Sequence, residues 1–281
     1  MFKPQFFRTR PDSLGLYRSA SISSAQNIMR AYSTSFSLAS RLLPRRVRHD
    51  IGNLYALVRI ADEIVDGPAR DAGFNAEGIT ELLDSLEADF FRALHHGFDS
   101  NPAILACADT ARRTRMPEEW FRAFFASMRE DIHPRPHYSD EQLAAYIYGS
   151  AEVIGLMCVQ IFRKGAAPTP EIITSARALG RAFQLINFVR DYAADSALGR
   201  HYIRIEDKAR ICEGIRNDLA TARNGIGLLP WYSRPAVGIA YALFAALNEK
   251  LDQGDPRAGR IRLNMWEKQV AIGRFVLGNR N

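Results

Sequence analysis

The chain has 281 residues, of which 47% are hydrophobic and 24% are charged. This composition excludes an intrinsically disordered protein and is sufficient for one large folded domain. The 37 basic and 31 acidic side chains are unevenly distributed, because residues 1–48 contain nine basic residues and a single acidic residue, Asp12. We therefore expect the N-terminal end to favour an anionic partner. No nucleic-acid-binding signature accompanies the charge, so we expect no nucleic-acid partner and at most peripheral membrane contact.

The cysteines and the apolar stretches indicate a cellular location. Cys107, Cys158 and Cys212 are far apart and form no CxxC motif, which is typical of a reducing compartment. Residues 1–18 have no apolar core of signal-peptide length. The long apolar stretch 143–162 carries Glu152 at its centre, and a charge there would cost about 2.5 to 3.5 kcal/mol in a bilayer. We therefore expect a cytoplasmic protein in which this stretch is a buried helix.

Proline and glycine residues divide the chain into segments of helical length, with almost no alternation typical of strands. In chain order, the pattern predicts helices over 44–66, from 117 to 133, over 139–162, from 170 to about 195, from about 205 to 225, over 233–251 and over 259–276. Ser139 and Gln142 have the spacing of a capping box. We predict one all-α domain of eight to ten helices over residues 21–281, preceded by a basic tail at residues 1–20.

Two of these helices are apolar nearly all round, yet each carries polar side chains three and four residues apart, which aligns them on one face. They are Tyr55, Arg59, Asp62 and Asp66 on the first helix and Gln184, Asn187, Asp191 and Asp195 on the second. Carboxylates one turn apart in a dry core need a counter-charge, which hard cations supply through oxygen ligands. One such pair alone is usually a solvated helix end, but two pairs predict a Mg²⁺ cluster that holds a diphosphate.

Several motifs resemble the squalene/phytoene synthase family. They are Tyr32-Ser-Thr-Ser-Phe36, then Tyr55, Arg59 and Asp62-Glu-Ile-Val-Asp66, then the segment 146–155, and finally Gln184, Asn187, Arg190, Asp191 and Asp195 followed by Arg200-His-Tyr202. The resemblance extends from about residue 31 to beyond residue 260, with the motifs in the family's order. It implies the all-α isoprenoid synthase fold around a central active-site cavity, a Mg²⁺ cofactor and an allylic prenyl diphosphate substrate.

The resemblance also implies roles for individual side chains. The metal ligands would be Asp62, Asp66, Asp191 and Asp195; the diphosphate would be handled by Tyr32, Ser33, Ser35, Arg59 and Arg190; and further substrate-binding residues would be Phe36, Tyr55, Gln184, Asn187, Arg200 and Tyr202. Metal ions and arginines would stabilise the charge that develops on the leaving diphosphate. Apolar and aromatic walls, including Phe36, would keep the carbocation away from water.

Departures from the family pattern bear on the second substrate. Arg204 stands where members that join two prenyl diphosphates usually have proline, and the segment 202–226 looks shorter than in carotenoid-forming relatives. Glu152 stands where many members have glycine. We expect it to be either a general base or a buried carboxyl satisfied by a neighbouring tyrosine or arginine.

From these departures we expect a prenyltransferase that moves a prenyl group, such as dimethylallyl, to a carbon of a small aromatic, carbazole-like acceptor in natural-product biosynthesis. The alternative is head-to-head condensation of two prenyl diphosphates by a phytoene or dehydrosqualene synthase. A third class, a non-catalytic helical protein that binds anionic lipid, does not account for four carboxylates in apolar helices.

Overall fold

The computed structural model describes residues 12–33 and 39–278, and this part of the chain contains helices and no β-strand. The α-helices are α1 (Ser13–Tyr32), α2 (Arg45–Asp66), α3 (Pro68–Asp71), α4 (Ala76–His96), α5 (Pro102–Thr114), α6 (Glu118–Ile132), α7 (Asp140–Ile147), α8 (Val153–Phe162), α9 (Pro170–Ala197), α10 (Lys208–Ile226), α11 (Arg234–Gln253) and α12 (Met265–Gly278). The predicted all-α class is confirmed. These twelve described helices exceed the eight to ten predicted, because α3 is a single turn and a short π-helical turn separates α7 from α8.

Most helix ends coincide with the sequence signals that predicted them. α2 begins directly after Pro44 and ends before Gly67. The capping box at the start of α7 forms, since the Gln142 backbone N–H donates to Ser139 Oγ at 3.2 Å and the Ser139 N–H donates to Gln142 Oε1 at 3.0 Å. Local side-chain chemistry therefore determines where these helices begin.

The last helix begins later than predicted, at Met265 rather than near residue 259. Gly259 has a φ of +123°, which is not helical. The Glu267 N–H donates to Asn264 Oδ1 at 2.8 Å, and the Asn264 N–H donates to Glu267 Oε2 at 2.6 Å. This reciprocal cap places the start of α12 after Asn264.

The predicted boundary of the basic tail falls inside α1. Residues 1–11 lie outside the described part of the chain, but residues 13–20 form the first turns of α1. The Tyr17 hydroxyl donates to the Ser100 carbonyl oxygen at 2.5 Å, and Arg18 forms an ion pair with Asp109 at 2.7 Å. These contacts attach the beginning of α1 to the rest of the fold.

Two hydrophobic clusters form the core. The first packs α2, α4, α5, α6 and α8 around a group of phenylalanines, in which the tilted rings of Phe90 and Phe121 have centroids 4.4 Å apart. The second joins α9, α10 and α11, where Phe188 and Tyr202 stack at 4.4 Å. α2 belongs to the first cluster and α9 contributes to both, and a cavity lies between these two helices.

The apolar stretch predicted to be a buried helix lies in the core. By length and composition alone, Asp140–Phe162 is the one helical stretch in the described residues that could cross a bilayer, and 61% of its most apolar window is buried inside the fold. Val153, Met157 and Ile161 have almost no exposed surface. The stretch therefore packs as a core helix, interrupted by the π-helical turn Tyr148–Glu152.

Two glycines allow α8 and α9 to approach each other closely. A Cβ added at Gly155 would lie 2.6 Å from the Ala176 carbonyl oxygen, and one added at Gly180 would lie 2.6 Å from the Ala151 carbonyl oxygen. Both obstacles are backbone atoms, which cannot rotate out of the way. Any side chain at either position would therefore push the two helices apart.

Replacing Gly180 with alanine should lower the free energy of unfolding by about 1 to 3 kcal/mol, because the added methyl group overpacks this contact. Each kcal/mol corresponds to roughly 2 to 4 °C in melting temperature for a chain of this size. The matched control is Gly214→Ala on α10, where no atom lies within 4 Å of the added Cβ. That variant should melt at or slightly above the wild-type temperature. Thermal unfolding followed by circular dichroism checks both, and a wild-type melting temperature for Gly180→Ala would contradict the close approach.

Candidate active site

A cavity of about 400 Å³ lies between α2, α8, α9, α10 and α11. Its lining residues on the two principal helices are Ile51, Leu54, Tyr55, Val58 and Asp62 on α2 and Ile172, Ser175, Ala176, Leu179, Gly180, Phe183, Gln184 and Asn187 on α9. Their spacing of three and four residues places one continuous face of each helix on the cavity. Both faces are mainly apolar at the N-terminal end and become polar toward the C-terminal end. The cavity therefore suits an elongated molecule that is apolar with one charged end.

The polar face predicted on α2 is at the polar end of the cavity, although its members differ in exposure. Tyr55 and Asp62 line the cavity. The Arg59 guanidinium lies 4.5 Å from the centroid of the Tyr32 ring and forms an ion pair with Glu63. The Asp66 side chain is 47% exposed, which differs from the expectation of a buried carboxylate, and it accepts a 2.8 Å hydrogen bond from Arg200 Nη1.

The corresponding face of α9 has the same organisation. Gln184 and Asn187 line the cavity, two turns and one turn before Asp191 respectively. Asp191 accepts a hydrogen bond from Arg190 Nε at 3.0 Å and forms an ion pair with Arg260 at 2.8 Å. Arginines therefore surround the carboxylates of both helices at this end.

The carboxylates of the two helices interact electrostatically. Burial raises the pKa of Asp62 to about 8, and the neighbouring negative charge of Asp66 contributes to the rise. Burial likewise raises the pKa of Asp195 to about 6, with additional contributions from Asp191 and Asp66. Because Asp66 on α2 affects the pKa of Asp195 on α9, the two predicted pairs converge on one region.

The chemistry of this donor set fits a divalent cation. Neighbouring carboxylates repel each other, which raises their pKa values. A hard cation that binds between their oxygen atoms neutralises this repulsion. Among the described residues, however, no three acidic, histidine or cysteine side chains are already arranged as a metal site. Arginines supply part of the positive charge that a cation would provide, since Arg200 binds Asp66 and Arg260 binds Asp191. Metal binding would require these carboxylates to exchange arginine for metal.

The described part of the chain includes only some residues of the predicted substrate-binding motif 32–36. Tyr32 is exposed at the end of α1, and Ser33 follows it directly. Burial raises the pKa of the Tyr55 hydroxyl, while Arg59 and a side-chain hydrogen bond with Ser33 act in the opposite direction. Ser35 and Phe36 lie outside the described residues.

Asp131 on α6 was not predicted from the sequence. It is 5% exposed and accepts hydrogen bonds from the hydroxyls of Tyr146 at 2.9 Å and Tyr202 at 2.6 Å. Burial raises its pKa to about 6, and the charges of Arg200 and Asp66 also act on it. Asp131 thus connects the predicted Arg200 and Tyr202 to the aspartate end of the cavity. A search for single acidic residues on the buried face of an apolar helix, rather than for pairs, would have found it.

Glu152 does not line the cavity. Its Oε2 accepts a 2.6 Å hydrogen bond from Arg177 Nε, and its Oε1 accepts a 2.7 Å hydrogen bond from Arg181 Nη1. Arg181 also binds Asp218 on α10. Of the two expectations for Glu152, this geometry corresponds to a buried carboxyl satisfied by neighbouring arginines.

Arg204 lies on the surface. Its side chain is 74% exposed and forms an ion pair with Asp207 at 2.9 Å. The segment that follows Tyr202 contributes only small or apolar side chains to the cavity, namely Ala222, Gly225 and Ile226 of α10. Arg204 is therefore not part of the cavity wall.

Comparison with known proteins identifies related sequences. The family model described as squalene/phytoene synthase matches residues 29–207. The chain is 28% identical over 269 residues to 15-cis-phytoene synthase of Paracoccus sp. (strain N81106 / MBIC 01143), which covers 88% of this chain and 86% of the relative. It is 31% identical over 191 residues to 4,4'-diapophytoene synthase of Staphylococcus haemolyticus (strain JCSC1435), covering 66% of this chain and 62% of the relative. It is 34% identical over 186 residues to chloroplastic phytoene synthase 1 of Arabidopsis thaliana, covering 64% of this chain but only 42% of the relative.

Solved structures share the fold. A dehydrosqualene synthase crystal structure superimposes with a TM-score of 0.77 at 21% identity, covering 94% of this chain and 98% of that chain. A squalene synthase from Alicyclobacillus acidocaldarius has a TM-score of 0.73 at 20% identity, covering 88% of this chain and 97% of that chain. At these identities the likeness establishes the fold alone.

The prediction of an aromatic, carbazole-like acceptor is wrong. The curated relatives are named as phytoene or diapophytoene synthases, which supports the head-to-head alternative. The two side chains on which the prediction relied are also absent from the cavity lining. Arg204 is a surface residue paired with Asp207, and Glu152 is held by arginines outside the cavity. Neither departure from the family pattern therefore changes the cavity lining.

The raised pKa values predict how stability depends on pH without metal. The ordinary pKa of an aspartate is 3.8, so above about pH 4 the folded state holds protons that the unfolded state has lost, on Asp195 up to about pH 6 and on Asp62 up to about pH 8. Stability should therefore fall as pH rises through this range. Asp62→Asn should flatten the dependence, because the amide does not titrate.

Melting temperatures measured in EDTA across this pH range test the expectation. The matched control is Glu249→Gln, which neutralises an exposed carboxylate on α11 and should keep the wild-type slope. A wild-type slope in Asp62→Asn would show that the pKa of Asp62 is not raised in the folded protein.

Proposed function

Because the chain belongs to the squalene/phytoene synthase family, we propose that this prenyltransferase joins two allylic prenyl diphosphates head to head. The bond between the allylic carbon and the diphosphate oxygen breaks, and its electron pair leaves with the diphosphate. The double bond of the second prenyl diphosphate supplies the electron pair of the new carbon–carbon bond, and a proton is lost from the joined chains. The second diphosphate then leaves with its own electron pair, and loss of a second proton gives the neutral hydrocarbon. The observation that carries the proposal is the cavity lining, which is apolar along most of α2 and α9 and ends at Asp62, on the helix whose Asp66 acts electrostatically on Asp195 of α9.

The carboxylates would hold the metal. We infer that Asp62, Asp66, Asp191 and Asp195 bind Mg²⁺, which when bound supplies positive charge to the leaving diphosphate. The raised pKa values of Asp62 and Asp195 support this role, since concentrated negative charge needs a cation.

Arginines at the same end would bind the diphosphate oxygens. Arg59, Arg190 and Arg200 all contact residues of the aspartate region, and Arg200 is itself buried. A guanidinium can donate two parallel hydrogen bonds to a phosphate, which orients the group as well as neutralising it. When metal takes Asp66 and Asp191, Arg200 and Arg190 would become available to substrate.

The apolar part of the cavity would protect the carbocation. Phe183 lines the cavity and stacks on Phe244 with ring centroids 3.7 Å apart, which fixes the orientation of its ring. Ile154 and Leu179 extend the dry wall on α8 and α9. Aromatic faces stabilise a nearby cation, and the exclusion of water prevents its capture as an alcohol.

A cytoplasmic location is also part of the proposal. Cys107, Cys158 and Cys212 are all unpaired, and Cys107 and Cys212 are buried in the fold. Free thiols without a disulfide framework are typical of a reducing compartment.

Incubation with Mg²⁺ and a single C15 or C20 allylic prenyl diphosphate should give a C30 or C40 hydrocarbon with no other acceptor. The product is identified by chromatography and mass spectrometry, and comparison of the two substrates shows which chain length the cavity accepts. Formation of prenyl alcohol alone from both substrates would contradict the condensation.

Asp62→Asn and Asp191→Asn should each lower the rate of diphosphate release by roughly 10²- to 10³-fold or more, because each lost ligand leaves transition-state charge less neutralised. Glu249→Gln should retain the wild-type rate, since it removes an exposed carboxylate far along α11. Circular dichroism should show the same helical content in all three variants. Full activity in EDTA, or in either aspartate variant, would exclude the assigned metal ligands.

A further inference from the structure

One end of the molecule exposes large apolar side chains. The Trp231 side chain, in the connection between α10 and α11, is 78% exposed, and Leu228 in the same connection is also exposed. Val276 and Leu277 are exposed at the end of α12. These four residues define what we call the Trp231 surface.

Packing between α11 and α12 places both segments at the same end. The ring of Phe275 lies 6.0 Å from that of Tyr241, and a Cβ added at Gly238 would lie 2.2 Å from Phe275. The C-terminal end of α12 therefore packs on the N-terminal part of α11, which begins at Arg234, three residues after Trp231.

The surroundings of this surface are cationic. Segments 41–49, 158–168, 222–238 and 270–278 together contain nine lysine and arginine residues and no aspartate or glutamate. Contacts bring two of these segments together, since Lys164 Nζ lies 5.3 Å from the centroid of the Tyr232 ring and the Tyr232 hydroxyl donates to the Phe162 carbonyl oxygen at 2.5 Å.

A second cavity at this end adds to the cationic character. It has a volume of about 230 Å³, and Arg46, Lys164 and Tyr232 are among its lining residues. Asp50 is the one carboxylate in that lining, and it is neutralised by Arg113, whose Nη1 donates to Asp50 Oδ2 at 3.0 Å. Nothing in the lining therefore offsets the charge of Arg46 and Lys164.

We propose that the Trp231 surface docks the protein on an anionic lipid bilayer. Trp231 and Leu228 insert at the level of the headgroups, where an indole buries its ring and keeps its N–H hydrated. Arg46, Lys164 and Arg234 lie around them and contact the lipid phosphates. A second copy of the chain is a poorer occupant, because pairing two such surfaces would bring their cations together.

The Trp231 surface lies close to the apolar part of the first cavity, which indicates a function for the docking. Leu43 and Leu229 line the apolar part of that cavity, and each directly follows an exposed leucine, Leu42 or Leu228. A hydrocarbon product would thus be formed close to lipid. This use rests on the proposed condensation, whereas the docking itself does not.

Cosedimentation with phospholipid vesicles tests the docking without any substrate. The full chain should bind vesicles containing about one third phosphatidylglycerol, lose binding as salt rises, and bind phosphatidylcholine vesicles weakly. Trp231→Ser should weaken binding about tenfold, because it removes the largest apolar side chain of the surface. Arg46→Ala should weaken it about fivefold and reduce the salt dependence.

Trp266→Ser is the matched control. Trp266 is 72% exposed, but it lies at the opposite end of α12, where Lys250 forms an ion pair with Glu267 at 2.7 Å. This variant should bind vesicles as the wild type does. All variants should keep the wild-type circular dichroism spectrum and rate of diphosphate release in lipid-free buffer.

Several results would overturn the proposal. They are wild-type vesicle binding by Trp231→Ser, equal weakening in Trp266→Ser, or no binding of the wild type to anionic vesicles. A dimer in light scattering that Trp231→Ser dissociates would assign the surface to a second copy instead. Because vesicle binding is measured without substrate, failure to form a hydrocarbon would contradict the proposed function and leave the docking result intact.

Discussion

The burial of several carboxylates in an apolar setting, together with the repulsion between them, is the constraint on which the rest of the site depends. Asp62, Asp131 and Asp195 come from three different helices, and burial raises the pKa of each. The protein offsets the repulsion with arginines and tyrosines: Arg200 binds Asp66, and two tyrosine hydroxyls donate to Asp131. These contacts connect α2, α6, α7 and the residues after α9. The charge that prepares the site for a cation thus also determines how the helices are joined around it.

How much could be predicted from the sequence differs between elements for physical reasons. The ends of α2 were predictable because Pro44 and Gly67 act locally. The paired aspartates were predictable because helical periodicity aligns residues four apart. Asp131 was missed because no second aspartate lies one helical turn away from it, and because its partners Tyr146 and Tyr202 are distant in the sequence. The start of α12 was misplaced because the Asn264 cap was overlooked beside an apparent continuation of helical periodicity from Gly259.

The error about the acceptor has a comparable origin. On α8 and the turn before it, the cavity is lined by Ala151, Ile154, Gly155 and Cys158, which follow the spacing of one helical face. Glu152 is one residue away from this series and therefore points to a different side of the helix. Arg177 and Arg181 on α9 lie on that other side. The prediction assumed that Glu152, because it differs from the family's usual glycine, changes the cavity. Helical geometry instead places Glu152 on a side of the helix that does not line the cavity.

The direction of α2 has a consequence for where the chemistry occurs. Its 22 residues span about 33 Å, from the cationic end at Arg45 to the exposed carboxylate of Asp66. Water-soluble diphosphates would approach one end of this helix, and a water-insoluble product would depart at the other. The length of this one helix would then separate the polar end of the cavity, where the diphosphate is released into water, from the end where the hydrocarbon product enters lipid.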